Sequence, residues 1–216
     1  DRQKASLGTG NLIKYIEKYY PMPRKFESVV GLSQIMQAQS IKKAVEVHRK
    51  NMPFCMGTLY WQLNDCWPAI SWSSLDYFGN WKALHYEAKR FFNPTLLTLS
   101  EKDNSIEIFI INDQDKAFEV TLSVFLYDFN GNVMMGKSQD VDVPLFSSEQ
   151  ALVIEKSTLL DQASESEVFL HAYIENNAGK ISKANYFFTD QKYLKTPKPK
   201  FDYSFDDLND IISFKI

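Results

Sequence analysis

The spacing of apolar residues changes once along this 216-residue chain, at Asn93-Pro94, and that change limits what it can fold into. Before it the period is helical. Gly10 to Tyr20 carries Leu12, Ile13, Ile16 and Tyr20 at helical intervals and stops at Pro21-Met22-Pro23, because proline has no N–H and its ring clashes with the preceding turn. Ser28 to Lys50 predicts a longer helix with Val29, Leu32, Ile35, Met36, Ala44 and Val47 as its apolar stripe. His48, Arg49 and Lys50 close its last turn, where the helix dipole favours cations. Phe54 to Leu63 is almost continuously apolar and predicts a short buried strand of the kind parallel sheets use. Asn64 to Asn80 is rich in turn residues, and Trp81 to Phe92 predicts a helix with Leu84, Ala88 and Phe91 on one side, ended by Pro94. This is an α/β order with a single strand, and a single strand makes no sheet. Partner strands are expected upstream.

After Pro94 the period drops to two. Strands are predicted at Thr95 to Ser100, Ser105 to Asn112, Phe118 to Tyr127, Val133 to Val143, Gln150 to Glu155, Glu167 to Ile174 and Lys180 to Phe188. Ile106, Ile108, Ile110 and Asn112 share one face of the second. Asp128-Phe129-Asn130-Gly131-Asn132 is the clearest hairpin turn. Seven short strands separated by turn residues fit an immunoglobulin-like β-sandwich, without the cysteine pair and buried tryptophan of antibody domains. Beyond Lys192, Pro197 and Pro199 hold a linker extended. Ile211 to Ile216 reads as the first strand of a further β-domain. Asp1 to Leu7 resembles no signal peptide, and both ends read as truncations.

Composition excludes several classes. Hydrophobic residues make up 44% and charged residues 24%, which is ordinary for a soluble globular chain. A formal charge of -3 gives no reason to expect nucleic acid or an anionic membrane as a partner. No apolar stretch approaches the roughly 20 residues of a membrane helix. Cys55 and Cys66 make neither a disulfide framework nor a zinc spacing, and no metal or cofactor is expected.

All four tryptophans, Trp61, Trp67, Trp72 and Trp81, crowd into one short segment. The run Gly57-Thr-Leu-Tyr-Trp-Gln-Leu-Asn-Asp-Cys-Trp-Pro-Ala-Ile-Ser-Trp-Ser-Ser-Leu-Asp-Tyr-Phe-Gly-Asn-Trp81, continuing Lys82-Ala83-Leu84-His85-Tyr86, resembles the end of the catalytic barrel in β-mannosidases of glycoside hydrolase family 2. Related β-galactosidases and β-glucuronidases share an aromatic at the end of this strand but not the Gln-Leu-Asn-Asp-x-Trp-Pro-x-x-Ser-Trp-Ser-Ser-x-Asp that follows. The resemblance extends upstream through the two helices and, more loosely, into the sandwich. It is strongest over residues 46–92.

The fold class this implies is an α+β fragment: the C-terminal piece of a TIM barrel (two helices, strand eight, final helix) followed by an immunoglobulin-like β-sandwich. Residues 1–93 would form the end of the (β/α)8 barrel, residues 94–191 the sandwich, and residues 192–216 a linker with the start of a truncated β-domain. Such barrels carry their active sites at the C-terminal ends of the strands. Alternation puts Gly57, Leu59, Trp61 and Leu63 on one face and Thr58, Tyr60 and Gln62 on the other. The resemblance makes Trp61 a flat floor under a pyranose at the cleavage subsite, with Asn64 and Asp65 able to meet hydroxyls. Asp65 is divided between that role and a structural bond within its loop. Trp67, Trp72 and Trp81 read as packing residues, Asp76 as ordering the Tyr77-Phe78-Gly79 turn, His48 and His85 as structural, and Cys66 as inert.

Retaining glycosidases need two carboxylates about 5–5.5 Å apart. In this family they are glutamates, one in an Asn-Glu pair and one in a Ser-Glu-Phe-Gly-like run, and neither pattern occurs here. No catalytic residue is therefore expected in this chain, and both glutamates are expected upstream of Asp1. The expected function is that of a C-terminal fragment of a retaining exo-β-mannosidase acting on terminal β-mannosides or oligosaccharides, inactive alone. The alternatives are a carbohydrate-binding or scaffold module and a sibling family 2 activity such as β-galactosidase or exo-β-glucosaminidase. An unpartnered barrel remnant would leave an apolar patch open to self-association. The compartment is left open, since family members work in the periplasm, the lysosome or outside the cell.

Overall fold

The computed structural model describes residues 8–198, together with the backbone of Asp202–Asp206 and Ile211–Lys215. Asp1 to Leu7 and the last residues of the proline-rich linker lie outside it. Helices α1 (Gly8–Tyr19), α2 (Phe26–Lys50) and α3 (Ala83–Phe91) precede seven strands: β1 (Thr95–Lys102), β2 (Ser105–Asn112), β3 (Phe118–Asp128), β4 (Val133–Val143), β5 (Ser147–Glu155), β6 (Val168–Asn176) and β7 (Gly179–Phe187). A short helix α4 (Lys156–Leu159) separates β5 from β6. Further on, β8 (Asp202–Asp206) pairs antiparallel with β9 (Ile211–Lys215), so the strand expected near the C-terminus forms but follows another strand instead of being the first.

The seven strands form two antiparallel sheets, β1-β2-β5 and β4-β3-β6-β7. The period of two decides which residues lie between them. Ile106, Ile108 and Ile110 of β2 meet Val120, Leu122, Val124 and Leu126 of β3 and Leu170, Ala172 and Ile174 of β6 in one core. Burying each large aliphatic side chain contributes about 1.5–3 kcal/mol. Asn112, on the same face, is also fully buried. It is tolerated because its amide donates to the Lys116 and Pro144 carbonyls while its Oδ1 accepts from Gln114 N. At the seams between the sheets, Leu97 N donates to Ser182 Oγ and Gln139 Nε2 to the Ala151 carbonyl.

The helical part packs through two small clusters. Ile16 and Tyr20 meet Met36 of α2, with Leu12, Val29 and Leu32 around them. Further along α2, Ala38, Ile41 and Val45 pack against Leu84, Ala88 and Phe91 of α3. The apolar stripe expected on α2 is thus corrected in its second half: Ala44 and Val47 face solvent, as does Ile35. α3 approaches from a different side than α1, so the buried face rotates along the helix.

The expected strand Phe54 to Leu63 does not form. Residues 51–55 are turns and residues 56–60 have no regular structure. A strand needs a neighbour to complete its hydrogen-bond ladder, and among the described residues the pairings here are isolated bridges, Asn64 with Leu75 and Leu75 with Trp81.

The end of α2 fastens the helices to the sandwich. The Arg49 guanidinium donates to the Phe91 and Asn93 carbonyls at 2.5 and 2.9 Å and pairs with Asp113 at 2.7 Å. It satisfies carbonyls that α3 would otherwise leave orphaned at its C-terminus. Beside it, Lys50 Nζ reaches Ser100 Oγ and Glu107 and lies over the Phe109 ring, while the Lys50 carbonyl accepts from Ser148 Oγ.

Candidate functional site

Although no ladder forms over 57–63, the expected alternation is present. Thr58, Tyr60 and Gln62 turn inward: Thr58 Oγ1 lies 2.9 Å from His48 Nδ1, and the Tyr60 ring stacks on Phe92 and meets Phe91 edge-on. Gly57, Leu59, Trp61 and Leu63 turn outward and are exposed among the described residues. Leu59 is 98% exposed and Trp61 75%. The Trp61–Gln62 peptide is cis.

The loop that follows folds back against this segment. Ser74 N donates to the Gln62 and Leu63 carbonyls at 3.0 and 3.1 Å, and Leu75 N to the Leu63 carbonyl at 2.8 Å. The Gln62 side chain accepts from the Trp72 indole N–H at 3.1 Å and donates to the Asn64 carbonyl at 2.7 Å. Gln37 of α2 donates to the Trp72 carbonyl. Both neighbours of Trp61 are therefore tied down, Tyr60 by packing and Gln62 by hydrogen bonds, while the indole itself stays open.

Asp65 lies inside the loop, its side chain only 7% exposed. Its Oδ2 accepts from Ser71 Oγ at 2.8 Å, Ser73 Oγ at 2.6 Å and Lys82 Nζ at 3.3 Å. Lys82 also donates to both serine hydroxyls. Partial burial works against the ionised carboxyl, but the hydrogen bonds from Ser71, Ser73 and Lys82 and the lysine charge outweigh it and hold Asp65 below its ordinary value. Asn64 stands at the surface, its amide directed at the Asp65 carbonyl at 3.4 Å. Of the three residues expected to meet sugar, Trp61 and Asn64 are open to solvent and Asp65 has its carboxylate engaged.

Trp67, Trp72 and Trp81 are each about half exposed. Trp81 packs against His85 and Tyr86. Asp76 orders its turn as expected: Oδ1 accepts from Phe78 N and Asn80 N, and Oδ2 from the Asn80 amide. Asp128 does the same for Asn130 and Asn132 in the β3–β4 turn, so two turns of the form Asp-aromatic-x-Gly-Asn share one carboxylate clamp. Gly79 and Gly131 occupy the left-handed position in each, at φ 85° and 89°. The glutamates before Pro94 that fall in the described residues are all helical: Glu17 on α1, Glu27 and Glu46 on α2, Glu87 on α3. Burial raises the Glu46 carboxyl above its usual value, against the opposing influence of Lys42 and Thr98.

Gln62, Ser74, Lys82 and Gln37 shape this site and were not singled out in sequence. The hydroxyl-rich run Ser71-Trp72-Ser73-Ser74 carried a signal, since serines in loops bond to nearby main chain. Nothing local marked Lys82, which reaches back across 17 residues to Asp65.

The sandwich first defines a class. Residues 104–193 match the Mannosidase Ig/CBM-like domain family, in agreement with the two-sheet, seven-strand arrangement. The chain as a whole is similar to β-mannosidases of glycoside hydrolase family 2, consistent with a C-terminal portion that includes this Ig-like domain. It is 36% identical over 142 residues to the β-mannosidase of Capra hircus, a match covering 60% of this chain and 16% of that protein. Over 205 residues it is 29% identical to the β-mannosidase of Rattus norvegicus, covering 87% of this chain and 23% of that one. Its fold superposes on the crystal structure of the β-D-mannosidase from Dictyoglomus thermophilum with a TM-score of 0.83 and 27% identity, covering 89% of this chain and 23% of that chain. The chain thus spans under a quarter of these relatives' length.

Proposed function

We infer that this chain is the C-terminal portion of a retaining exo-β-mannosidase, in which residues 1–93 close a (β/α)8 barrel, residues 94–191 brace it as a sandwich, and residues 192–216 lead into a further β-domain. The observation that carries the reading is the outward face of 57–63: an open Trp61 indole whose two neighbours are immobilised. A flat ring held in this way suits the C–H face of a pyranose, and rigid placement of a contact matters because misplacement by about 1 Å can cost on the order of 10²-fold in rate. Gly57, Leu59 and Leu63, uncovered on the same face, are what the interior of a barrel would bury once its other strands are beside them. The Arg49 clasp gives the bracing role its mechanism, because it ties the end of α3 to the start of the sandwich.

On this reading the acid/base and nucleophile glutamates come from outside the chain, which alone is inactive, and its own glutamates on α1, α2 and α3 serve structure. Asn64 offers its amide at the rim of the subsite, and Asp65 stiffens the loop wall behind it. The substrate is a terminal β-D-mannoside. The test is turnover of 4-nitrophenyl β-mannoside by the parent enzyme and by its Trp61→Ala variant. The variant is expected to lose about 10²-fold in kcat/KM, and unchanged turnover would remove Trp61 from the subsite. Hydrolysis by the 216-residue chain on its own would overturn the claim that the carboxylates lie elsewhere.

A further inference from the structure

Ser74 is fully buried and joins more groups than any serine needs for packing. Its amide donates to the Gln62 and Leu63 carbonyls, and its carbonyl accepts from Lys82 N at 2.9 Å. Its hydroxyl oxygen lies 3.0 Å from each of three groups: the Leu63 carbonyl, the Tyr60 hydroxyl and His85 Nδ1. A serine hydroxyl has one proton to give and two lone pairs to accept with. The Leu63 carbonyl can only accept, and with the serine hydroxyl directed at it, it takes the serine proton as a third bond beside those from the Ser74 and Leu75 amides. The two lone pairs then fall to Tyr60 and His85, and both must donate. Tyr60 can do so by rotating its hydroxyl. His85 can do so only with its proton on Nδ1, opposite to the tautomer that predominates in free neutral histidine.

We propose that Ser74 and His85 are positioning residues for the Trp61 platform, and that His85 acts by carrying its proton on Nδ1 and donating it to Ser74 Oγ. The chain of contacts is short. Trp81 packs edge-on against the imidazole, with ring centroids 4.4 Å apart, and restrains its plane. The imidazole fixes the serine hydroxyl, and the serine holds the Gln62 and Leu63 carbonyls that follow Trp61 in the chain. Tyr60, the residue before Trp61, enters the same network through its hydroxyl. Trp61 is thereby gripped from both sides by one buried serine, which holds Tyr60 through its hydroxyl and Gln62 through its amide, and a tryptophan outside the sugar face contributes to its placement. The proposal rests on the sugar role of Trp61 for its consequence, but not for its geometry.

The test has two arms. In the 216-residue chain, ¹⁵N NMR of the His85 ring at alkaline pH should show Nδ1 protonated and Nε2 bare; a bare Nδ1 would overturn the assignment, with no sugar involved. In the 4-nitrophenyl β-mannoside assay on the parent enzyme, His85→Leu removes the donor, whereas His85→Asn places an amide N–H near the Nδ1 position. The leucine variant should lose about tenfold in kcat/KM and the asparagine variant should recover most of it. Equal losses in both variants, or none in either, would sink the positioning role. Unchanged turnover in Trp61→Ala alongside an Nδ1-protonated His85 would instead locate the failure in the sugar reading and leave the network standing.

Discussion

Ile106, Ile108, Leu122, Leu170 and Ile174 are sealed between the two sheets of the sandwich, whereas Phe54, Met56, Leu59 and Leu63 in the helical part, no less apolar, stand in solvent. The two regions share a chain and are joined by Arg49, but among the described residues only the sandwich has its inner apolar faces covered. The sandwich has both its sheets, so period two suffices to bury its core. The segment 57–63 has an inward face against the helices and an outward face that no described residue covers, and exposed apolar patches of that kind mark interaction surfaces. Burial, not composition, separates the two regions.

That contrast can be broken most forcefully by core truncation. Ile108→Ala should destabilise the sandwich by about 2–5 kcal/mol through lost transfer energy and a residual cavity. Leu59→Ala, the same kind of change on an uncovered side chain, should stay within about 0.5 kcal/mol. Urea unfolding followed by far-UV circular dichroism compares them, and similar losses would mean that Leu59 is covered in solution, for instance by self-association.

The joint is the next place to press. Arg49→Met keeps much of the length and removes the donors, leaving the Phe91 and Asn93 carbonyls and Asp113 without them. Stranding such groups should cost about 2–3 kcal/mol. Because every tryptophan lies between Trp61 and Trp81, fluorescence reports the helical part alone. In the wild type, fluorescence and circular dichroism should unfold together, and in Arg49→Met the fluorescence transition should move to lower urea. Transitions that remain superimposed would show that the clasp does not couple the two regions.

The sequence was most readable where residues answer to their own neighbours. The seven strands sit where period two put them, with β2 and β4 matching to the residue, because alternation between sheet faces is local and each strand has its partners in the chain. The turn at Asp128 was legible for the same reason. Phe54 to Leu63 has the apolar composition of a buried strand yet forms none, because a hydrogen-bond ladder depends on partners that no local pattern contains. The alternation of its faces survived that error, because it depends only on backbone direction. At the site, Trp61 stood out by its surroundings in sequence. Ser74, His85 and Lys82 did not, as their roles arise from contacts 9 to 17 residues apart that only the folded loop brings together.

The smallest effect concerns two carboxyls of the helical part that should respond to acid in opposite directions. Asp65 is held below its ordinary value in the fold, so its contribution is fully present above about pH 4, the usual range for an unfolded aspartate, and fades as pH falls through the lower folded value. Glu46 is raised by burial, so the fold penalises its ionised form. The folded state holds that proton more tightly than the unfolded chain, and stability gained through Glu46 rises as pH falls from above its folded value towards its ordinary one. Asp65→Asn should therefore cost about 1 kcal/mol at neutral pH, with the difference from wild type closing in acid. Glu46→Gln should instead look most favourable at neutral pH and lose that advantage on acidification. Tryptophan-monitored urea unfolding from pH 7 downward yields both difference curves. Slopes of the same sign would show that the Ser71-Ser73-Lys82 network does not stabilise the Asp65 carboxylate, and that the loop beside Trp61 is held by its main chain and by Ser74 instead.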